Sequence, residues 1–176
     1  MKSDTPQRYG TLSRLFHWAI AVLVFWQALK IFDRIDDGEH WVGQTLVPWH
    51  ISIGVLVLLL VVPRIAWALR NQGNRPPGPQ PAWLGFLAKA GHVVLYAALV
   101  LMPVTGISIM IGNGYGLAVF GMELLAGGGE IPWLATFGGT LHSPVAWLLL
   151  AMVAGHVVMA LWHHFVRRDG VLRRML

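Results

Sequence analysis

The residues of this 176-residue chain that could do chemistry are histidines placed inside apolar sequence. Five of the eight histidines lie in long apolar stretches, where an ionisable side chain is costly unless it is paired or acts as a ligand. They are His17, His50, His92, His142 and His156. On one helix, the fourteen-residue separation of His142 and His156 places them on nearly the same face, about 21 Å apart. Two imidazoles so spaced indicate two haem irons stacked across a membrane.

The composition indicates a membrane protein, since 56% of the residues are hydrophobic and only 12% are charged. Cysteine is absent, so a C-x-x-C-H haem attachment is excluded and any haem must be held noncovalently. The formal net charge of +5 could suggest a nucleic-acid partner. Basic residues in a membrane protein more often mark its cytoplasmic side, and we expect no nucleic-acid binding.

Four apolar stretches approach or exceed the roughly 20 residues that a membrane span needs. They cover residues 15–32, 49–69, 84–111 and 143–166. We therefore predict an all-α integral membrane protein whose single domain, residues 1–176, is a four-transmembrane-helix bundle. The Gly-rich segment 112–141 is predicted to be an interfacial loop, with a short helix at residues 131–137.

The distribution of basic residues predicts the orientation of the bundle. Eleven of the thirteen Lys and Arg residues lie in or beside the termini and the second connection, and only Lys30 and Arg34 lie in the other connections. The positive-inside rule then places both termini and the second connection in the cytoplasm, with the first and third connections outside.

This orientation sorts the histidines by depth. His50 and His142 lie at the predicted outer starts of the second and fourth helices, so an outer haem with two imidazole ligands would use this pair. His156 lies about 21 Å further inward than His142. Its depth matches that of His17 on the first helix and also that of His92 on the third. Depth alone leaves the inner partner open between His17 and His92.

Other polar residues near the predicted inner end have more than one interpretation. Arg64 follows His50 by fourteen residues on nearly the same face, and could contact a haem propionate or a quinone oxygen, or extend to the headgroups. His92 could bond a propionate or a quinone carbonyl, or pack between helices. His163 and His164 are expected to extend to the inner interface, although a quinone head group could use one of them.

Short motifs follow one another along nearly the whole chain. They are RLFHW at 14–18, WHISIG at 49–54, GHVVLY at 91–96, LMPVTG at 101–106, GH at 155–156 and ALWHHF at 160–165. Their order resembles the bacterial cytochrome b561 family of di-haem membrane proteins, which is related to the b-type subunits of formate dehydrogenases and nickel-iron hydrogenases. The resemblance implies two haem b groups in a multi-pass protein of the bacterial inner membrane. It also implies that His17 and His156 are the iron ligands of the inner haem, and His50 and His142 those of the outer haem.

The resemblance implies one-electron transfer between a quinone in the bilayer and a second partner. One branch of the family is described as oxidising superoxide outside and reducing ubiquinone near the inner haem, which would make the chain a membrane-bound oxidoreductase. The outward connections carry six acidic residues against Lys30 and Arg34, which disfavours capture of a small anion. An acidic surface suits a protein partner better, so the alternative is a membrane anchor that relays electrons between a larger periplasmic redox enzyme and quinone. A transporter of metal ions or small molecules could also use intramembrane histidines, and absence of a b-type absorption band would favour it.

Overall fold

The computed structural model describes residues 3–30, 41–77 and 81–176, and most of these residues are helical. The helices are α1 (Thr11–Ala28), the short α2 (Trp41–Thr45), α3 (His50–Arg70), α4 (Ala82–Gly112) and α5 (Pro132–Trp162). Between α4 and α5, strands β1 (Leu117–Val119) and β2 (Met122–Leu125) pair in antiparallel fashion. The starts and ends of α3 and α4 lie within two residues of the predicted spans. The first helix begins at Thr11 instead of residue 15, and its predicted end at residue 32 lies outside the described residues.

In the described residues, three helical segments are long and apolar enough to cross a membrane. They are Val47–Arg70, Trp83–Gly112 and Pro132–Arg167. Helix α1 is a further helix of 18 residues that includes Arg14, His17 and Gln27. The described part of the chain is therefore a helical membrane bundle.

The helices pack in chain order, with α1 against α3, α3 against α4 and α4 against α5. Buried aliphatic side chains fill two of these contacts. They are Ile20, Ile53, Val57 and Val61 between α1 and α3, and Ala98, Val145 and Leu149 between α4 and α5. His17 lies on α1, and His142 and His156 lie on α5.

Helix α5 begins eleven residues before the predicted start of the fourth span, and the interfacial loop predicted for 112–141 is wrong for its last ten residues. The short helix predicted at 131–137 forms the first turns of α5. Pro132 lies in the first turn, where its missing N–H leaves no hydrogen bond unmade. Pro144, next to the predicted start of the fourth span, lies inside the helix. Membrane bundles tolerate such a proline because neighbouring groups satisfy the freed backbone.

Close packing explains the glycines that suggested a loop. A Cβ atom on Gly138 would lie 2.6 Å from the carbonyl oxygen of Thr105 and 2.8 Å from the nitrogen of Ile109. Only glycine lets the backbones of α4 and α5 approach this closely, as small residues do at helix crossings in membranes. Gly138 therefore marks a helix contact, whereas a Cβ atom on Gly139 would meet nothing within 4 Å.

The remaining part of the 112–141 segment contains the hairpin, which is attached to the start of α3. Phe120 and Gly121 have φ values of 50° and 81°, as a two-residue type I′ hairpin loop requires. The Phe120 ring lies 6.1 Å from that of Trp49, and its backbone N–H donates to Oγ of Ser52 at 2.9 Å. We call this end of the bundle the hairpin end.

The two termini and the connection between α3 and α4 meet at the opposite end, which we call the basic end. The Tyr9 N–H donates to the carbonyl oxygen of Arg174 at 3.2 Å, and Nη1 of Arg174 donates to that of Pro77 at 3.0 Å. Arginines of all three segments gather here, which agrees with the predicted grouping of both termini and the second connection on one side. They include Arg8, Arg14, Arg70, Arg75, Arg167, Arg168, Arg173 and Arg174.

A buried carboxylate holds the basic end together. The side chain of Asp4 is fully buried, and it accepts hydrogen bonds from the Gly10 N–H and from Oγ of Ser13, both at 2.7 Å. Nε of Arg75 forms an ion pair with it at 3.4 Å. Oγ of Ser13 also accepts a hydrogen bond from Nε1 of Trp67 at 3.0 Å. The N-terminal arm is thereby joined to α1, to the end of α3 and to the connection after α3.

The helix crossing gives a stability prediction with a matched control. Gly138→Ala forces a methyl group into the backbone of α4, and we expect it to lower the free energy of unfolding by about 1–3 kcal/mol, the cost of overpacking. At Gly139 a Cβ atom meets nothing within 4 Å, so Gly139→Ala should leave stability unchanged or raise it slightly. Unfolding midpoints in detergent measure both effects. Equal midpoints for the two variants would contradict the assigned crossing.

Candidate functional site

One imidazole pair lies near the hairpin end. His50 is the first residue of α3, and His142 is in α5. Their ring centroids are 6.1 Å apart, and the ring planes are inclined at 79°. Both residues are half-buried. His142 lies one residue before the predicted start of the fourth helix but ten residues beyond its observed start at Pro132. His142 is therefore in the interior of the helix and not at its beginning.

Thr105 on α4 orients the ring of His142. The Thr105 side chain is fully buried, and its hydroxyl donates to the carbonyl oxygen of Met102 at 2.8 Å. The hydroxyl oxygen of Thr105 lies 3.0 Å from Nδ1 of His142. It can only accept a hydrogen bond there, because its single proton is already donated to Met102. His142 therefore carries its proton on Nδ1, which leaves the lone pair of Nε2 available to a metal ion.

Two neighbours determine where the rings of this pair lie. A Cβ atom on Gly106 would come within 3.2 Å of Cε1 of His142, so the glycine leaves room for the ring. Nε2 of Gln27 on α1 donates to the carbonyl oxygen of His50 at 2.8 Å, which ties α1 to the start of α3. Oε1 of Gln27 is buried without a hydrogen-bond partner among the described residues.

A second imidazole pair lies nearer the basic end. His17 on α1 and His156 on α5 have ring centroids 6.2 Å apart, with the planes inclined at 41°. Nδ1 of His17 is buried and has no hydrogen-bond partner in the described part of the chain. A buried polar atom without a partner costs free energy, which a bound group could recover.

His92 also contacts this pair, but in a different geometry. Its ring centroid is 5.3 Å from that of His156, and the planes are nearly perpendicular at 83°. Nδ1 of His92 donates to the carbonyl oxygen of Ala88, one turn earlier in α4, at 2.6 Å. The edge of one ring thus rests against the face of the other.

The ring separations allow a test of metal binding between each pair. The bond from a metal ion such as zinc to an imidazole nitrogen is about 2.0–2.1 Å long, and that nitrogen lies about 1.1 Å from the ring centre. An ion midway between two imidazoles, on the line through their centres, would therefore separate the ring centroids by about 6.3 Å. Two imidazoles that would hold one ion between them could be rotated about the line that joins them through the ion, so the angle between the ring planes does not decide the fit. The pairs at 6.1 and 6.2 Å fit this arrangement, while His92 at 5.3 Å from His156 is too close for it.

Arg64 and Tyr96 lie beside the basic-end pair. Nε of Arg64 on α3 donates to Oη of Tyr96 on α4 at 3.2 Å, and the guanidinium carbon lies 5.5 Å from the centre of the Tyr96 ring. The guanidinium interacts electrostatically with both His17 and His156. Arg64 is half-buried.

Three residues that shape the site were not predicted from the sequence. Gln27 carried a usable signal, since it is an uncharged polar residue in an apolar span. Tyr96 follows His92 by four residues and so shares its helix face. Thr105 carried no signal of its own, because its role depends on the crossing of α4 and α5.

Comparison with known proteins places the chain among membrane cytochromes. The family model of prokaryotic cytochrome b561 matches residues 8–176. Cytochrome b561 homolog 2 of Escherichia coli (strain K12) is 34% identical, over 99% of this chain and 94% of the relative. The probable superoxide oxidase CybB of Yersinia pestis is 28% identical, over 97% and 96%. Cytochrome b562 of Cereibacter sphaeroides is 29% identical, over 96% and 94%.

Proposed function

Because the chain belongs to the prokaryotic cytochrome b561 family, we propose that it is a di-haem b cytochrome that passes electrons from a donor outside the bacterial inner membrane to quinone. Membership of the family implies b-type haem binding and membrane electron transfer. The observation that supports two haems is the presence of two imidazole pairs, both with ring separations that suit one metal ion.

We propose that His50 with His142, and His17 with His156, would hold the two haem irons. Each haem, when bound, supplies a one-electron redox centre. His142 and His156 belong to the same helix and are fourteen residues apart, so α5 contributes one ligand to each pair at heights that differ by about 21 Å. Thr105 holds His142 in the tautomer that a ligand needs, and such bonds to the second ring nitrogen also raise the basicity of the first.

The proposed bundle has four spans, with α1 as the fourth. At one end, Gln27 of α1 bonds to the start of α3, and at the other, Ser13 bonds to Trp67 near the end of α3. Helix α1 therefore runs along nearly the whole of α3. The proposed orientation has the basic end, with both termini, in the cytoplasm, and the gathered arginines support it by the positive-inside rule.

The basic end is the proposed side of quinone reduction. Arg64 and Tyr96 offer hydrogen-bond donors beside His17 and His156, and either a quinone oxygen or a haem propionate is a suitable acceptor. The side chain of His92 is exposed at the surface of the bundle, where a lipid-soluble quinone could reach it from the bilayer. These residues therefore bind and orient, while electron transfer itself needs no group on the chain to form a covalent bond.

The outer donor has two candidates, each favoured by a different observation. Similarity to a probable superoxide oxidase favours superoxide. The alternative, a periplasmic redox protein for which the chain is the membrane anchor, is favoured by Glu123 and Glu130 near the hairpin end and by the exposed Met122 and Leu124. Purification from native membranes distinguishes them. Superoxide-driven quinone reduction by the isolated chain supports the first, and a stoichiometric redox partner supports the second.

The ligand assignment predicts which haem each variant loses. His50→Ala and His142→Ala should each remove the hairpin-end haem and retain the other, because an imidazole lost from the pair leaves the iron one ligand short. His17→Ala and His156→Ala should do the reverse, and His92→Ala should retain both haems. Haem per chain and the reduced-minus-oxidised spectrum measure this. The assignment is contradicted if all four variants keep equal haem content, or if His92→Ala loses a haem.

The orienting hydrogen bond gives a finer prediction. Thr105→Val keeps the size of the side chain but removes the acceptor for Nδ1 of His142, and we expect about 10–100-fold weaker haem binding at the hairpin end. Ser108→Ala is the control, since among the described residues this buried hydroxyl on the same helix bonds only to the carbonyl oxygen of Val104. Haem retention during dilution in detergent measures the difference. The same retention in both variants would remove Thr105 from the site.

A further inference from the structure

An open depression of about 380 Å³ lies at the basic end, where the N-terminal arm meets the C-terminal tail. The arm contributes Gln7 and Arg8 to its lining, and the tail contributes Asp169, Gly170, Arg173, Arg174 and Leu176. None of the paired histidines lines it. The depression is therefore a separate feature from the two imidazole pairs, and the proposed electron transfer does not use it.

A contact between a histidine and a carboxylate fixes the tail side of the depression. Nδ1 of His163 lies 2.5 Å from Oδ2 of Asp169, and His163 is only 7% exposed. His163 therefore does not extend to the interface as the sequence suggested. A turn of π-helix at His163–Arg167, followed by a left-handed residue, Arg168, with a φ of 53°, brings the tail back across the end of the bundle.

Hydrogen bonds to the backbone fix the arm side and join it to the tail. The Thr5 N–H donates to the carbonyl oxygen of Arg8 at 2.9 Å, and the Thr5 hydroxyl donates to the same oxygen at 3.1 Å. The Tyr9 N–H donates to the carbonyl oxygen of Arg174 at 3.2 Å. The backbone on both sides of the depression is thus held before any ligand binds, which reduces the entropy that binding costs.

The arginines of the depression differ in what their side chains contact. One guanidinium N–H of Arg174 already donates to a backbone carbonyl of this chain. In the part of the chain that the structure describes, the guanidinium groups of Arg8 and Arg173 have no hydrogen-bond or ion-pair partner, and both residues are exposed. Arg8 on the arm and Arg173 on the tail therefore offer unused N–H donors from the two sides of the depression.

The acceptor groups in the depression are occupied by their own neighbours. Oδ1 of Asp169 accepts a hydrogen bond from the Val171 N–H at 3.2 Å, and Nε of Arg167 lies 3.9 Å from Oδ2. The main-chain oxygen of Leu176 accepts a hydrogen bond from Nη1 of Arg14. Because these oxygens are already compensated, the arginines leave the depression positive, and it suits an anion.

The type and placement of the donors favour a phosphate group. A guanidinium carries parallel N–H groups that match two oxygens of one phosphate, and it is less strongly hydrated than an ammonium. A phosphate between Arg8 and Arg173 would accept hydrogen bonds from both. Gln7 adds amide N–H donors on the arm side.

The neighbouring surface indicates that this phosphate belongs to a lipid. The apolar segment Pro132–Arg167 ends two residues before Asp169. Its last turns carry the exposed side chains of Trp162, Phe165 and Val166. Such a surface accommodates acyl chains, while basic residues just beyond it lie at the level of the headgroups. A soluble phosphate would gain nothing from these apolar side chains.

We propose that the depression binds the phosphate of an anionic phospholipid, with Arg8 and Arg173 as its main ligands and the acyl chains against the apolar end of α5. The bound phosphate joins the N-terminal arm to the C-terminal tail. The positive-inside rule describes an attraction spread over the whole end of the bundle, whereas this inference assigns binding to two residues. It requires neither haem nor quinone, so it is independent of the proposed function.

The test adds phosphatidylglycerol to the haem-loaded chain in a neutral detergent. The rise of the unfolding midpoint with lipid concentration gives the affinity, and native mass spectrometry counts the bound lipids. Arg8→Gln and Arg173→Gln are compared with Arg70→Gln as the matched control. Arg70 is an exposed arginine in the last turn of α3, at the same end of the bundle, and it does not line the depression.

All three variants remove one positive charge, so the size of the effect separates a site from general attraction. We expect affinity to fall about tenfold or more in Arg8→Gln and in Arg173→Gln, as for loss of hydrogen bonds to a charged group. It should fall by less than about fivefold in Arg70→Gln, as for one charge near a membrane surface. Without added lipid, haem content and midpoint should equal those of wild type in every variant.

Further comparisons identify the ligand. Arg173→Lys keeps the charge but loses the paired donors, so it should recover only part of the affinity. Diacylglycerol, which has the acyl chains without the phosphate, should not raise the midpoint. Inorganic phosphate, which lacks the chains, should protect wild type only at much higher concentration than phosphatidylglycerol.

The other results overturn the inference. If Arg70→Gln weakens lipid binding as much as Arg8→Gln and Arg173→Gln do, diffuse surface charge holds the lipid. If inorganic phosphate protects as well as phosphatidylglycerol, the ligand is a soluble phosphate and the lipid assignment is wrong. If Arg8→Gln and Arg173→Gln lose haem or stability without any lipid, these arginines maintain the fold instead of binding a ligand.

Discussion

The cost of placing an imidazole in an apolar helix bundle is the constraint on which the rest of this structure depends. A buried ring nitrogen must be satisfied by a hydrogen bond, by another charged group or by a metal ion. The chain meets this demand by bringing its intramembrane histidines together from different helices. His50 meets His142, and His17 and His92 meet His156. Helix α5 takes part in every one of these contacts, so its position determines the site.

The position of α5 is set by its crossing with α4. Gly138 allows the two backbones to touch, and that contact brings Thr105 to the ring of His142. The same crossing places Gly106 where a larger residue would press on that ring. The same helix contact thus determines both the packing and the orientation of His142, because Gly138 permits the contact and Gly106 leaves space for the ring.

The two ends of the bundle differ in what they offer to partners. The hairpin end presents Phe120 stacked on Trp49, with apolar side chains exposed along β2. At the basic end, the buried Asp4 ties the N-terminal arm to α1 and Arg75, and the C-terminal tail folds back through the pair of His163 and Asp169. One end therefore suits an electron donor at the membrane surface, and the other combines positive charge with access to water, as the proposed quinone chemistry requires.

The sequence by itself determined the membrane class, three of the spans to within a few residues at the ends described, and the histidines that pair. Apolar length and isolated ionisable residues are local properties, so they can be read without the fold. Depth alone left the partner of His156 open between His17 and His92, since depth along a helix does not give lateral distance, and only the family resemblance implied His17. Only the tertiary structure separated a pair at 6.2 Å from an edge contact at 5.3 Å. It alone showed that Gly138 belongs to a helix crossing and that Asp169 contacts His163. Both features depend on contacts between side chains or segments that the local sequence pattern does not predict.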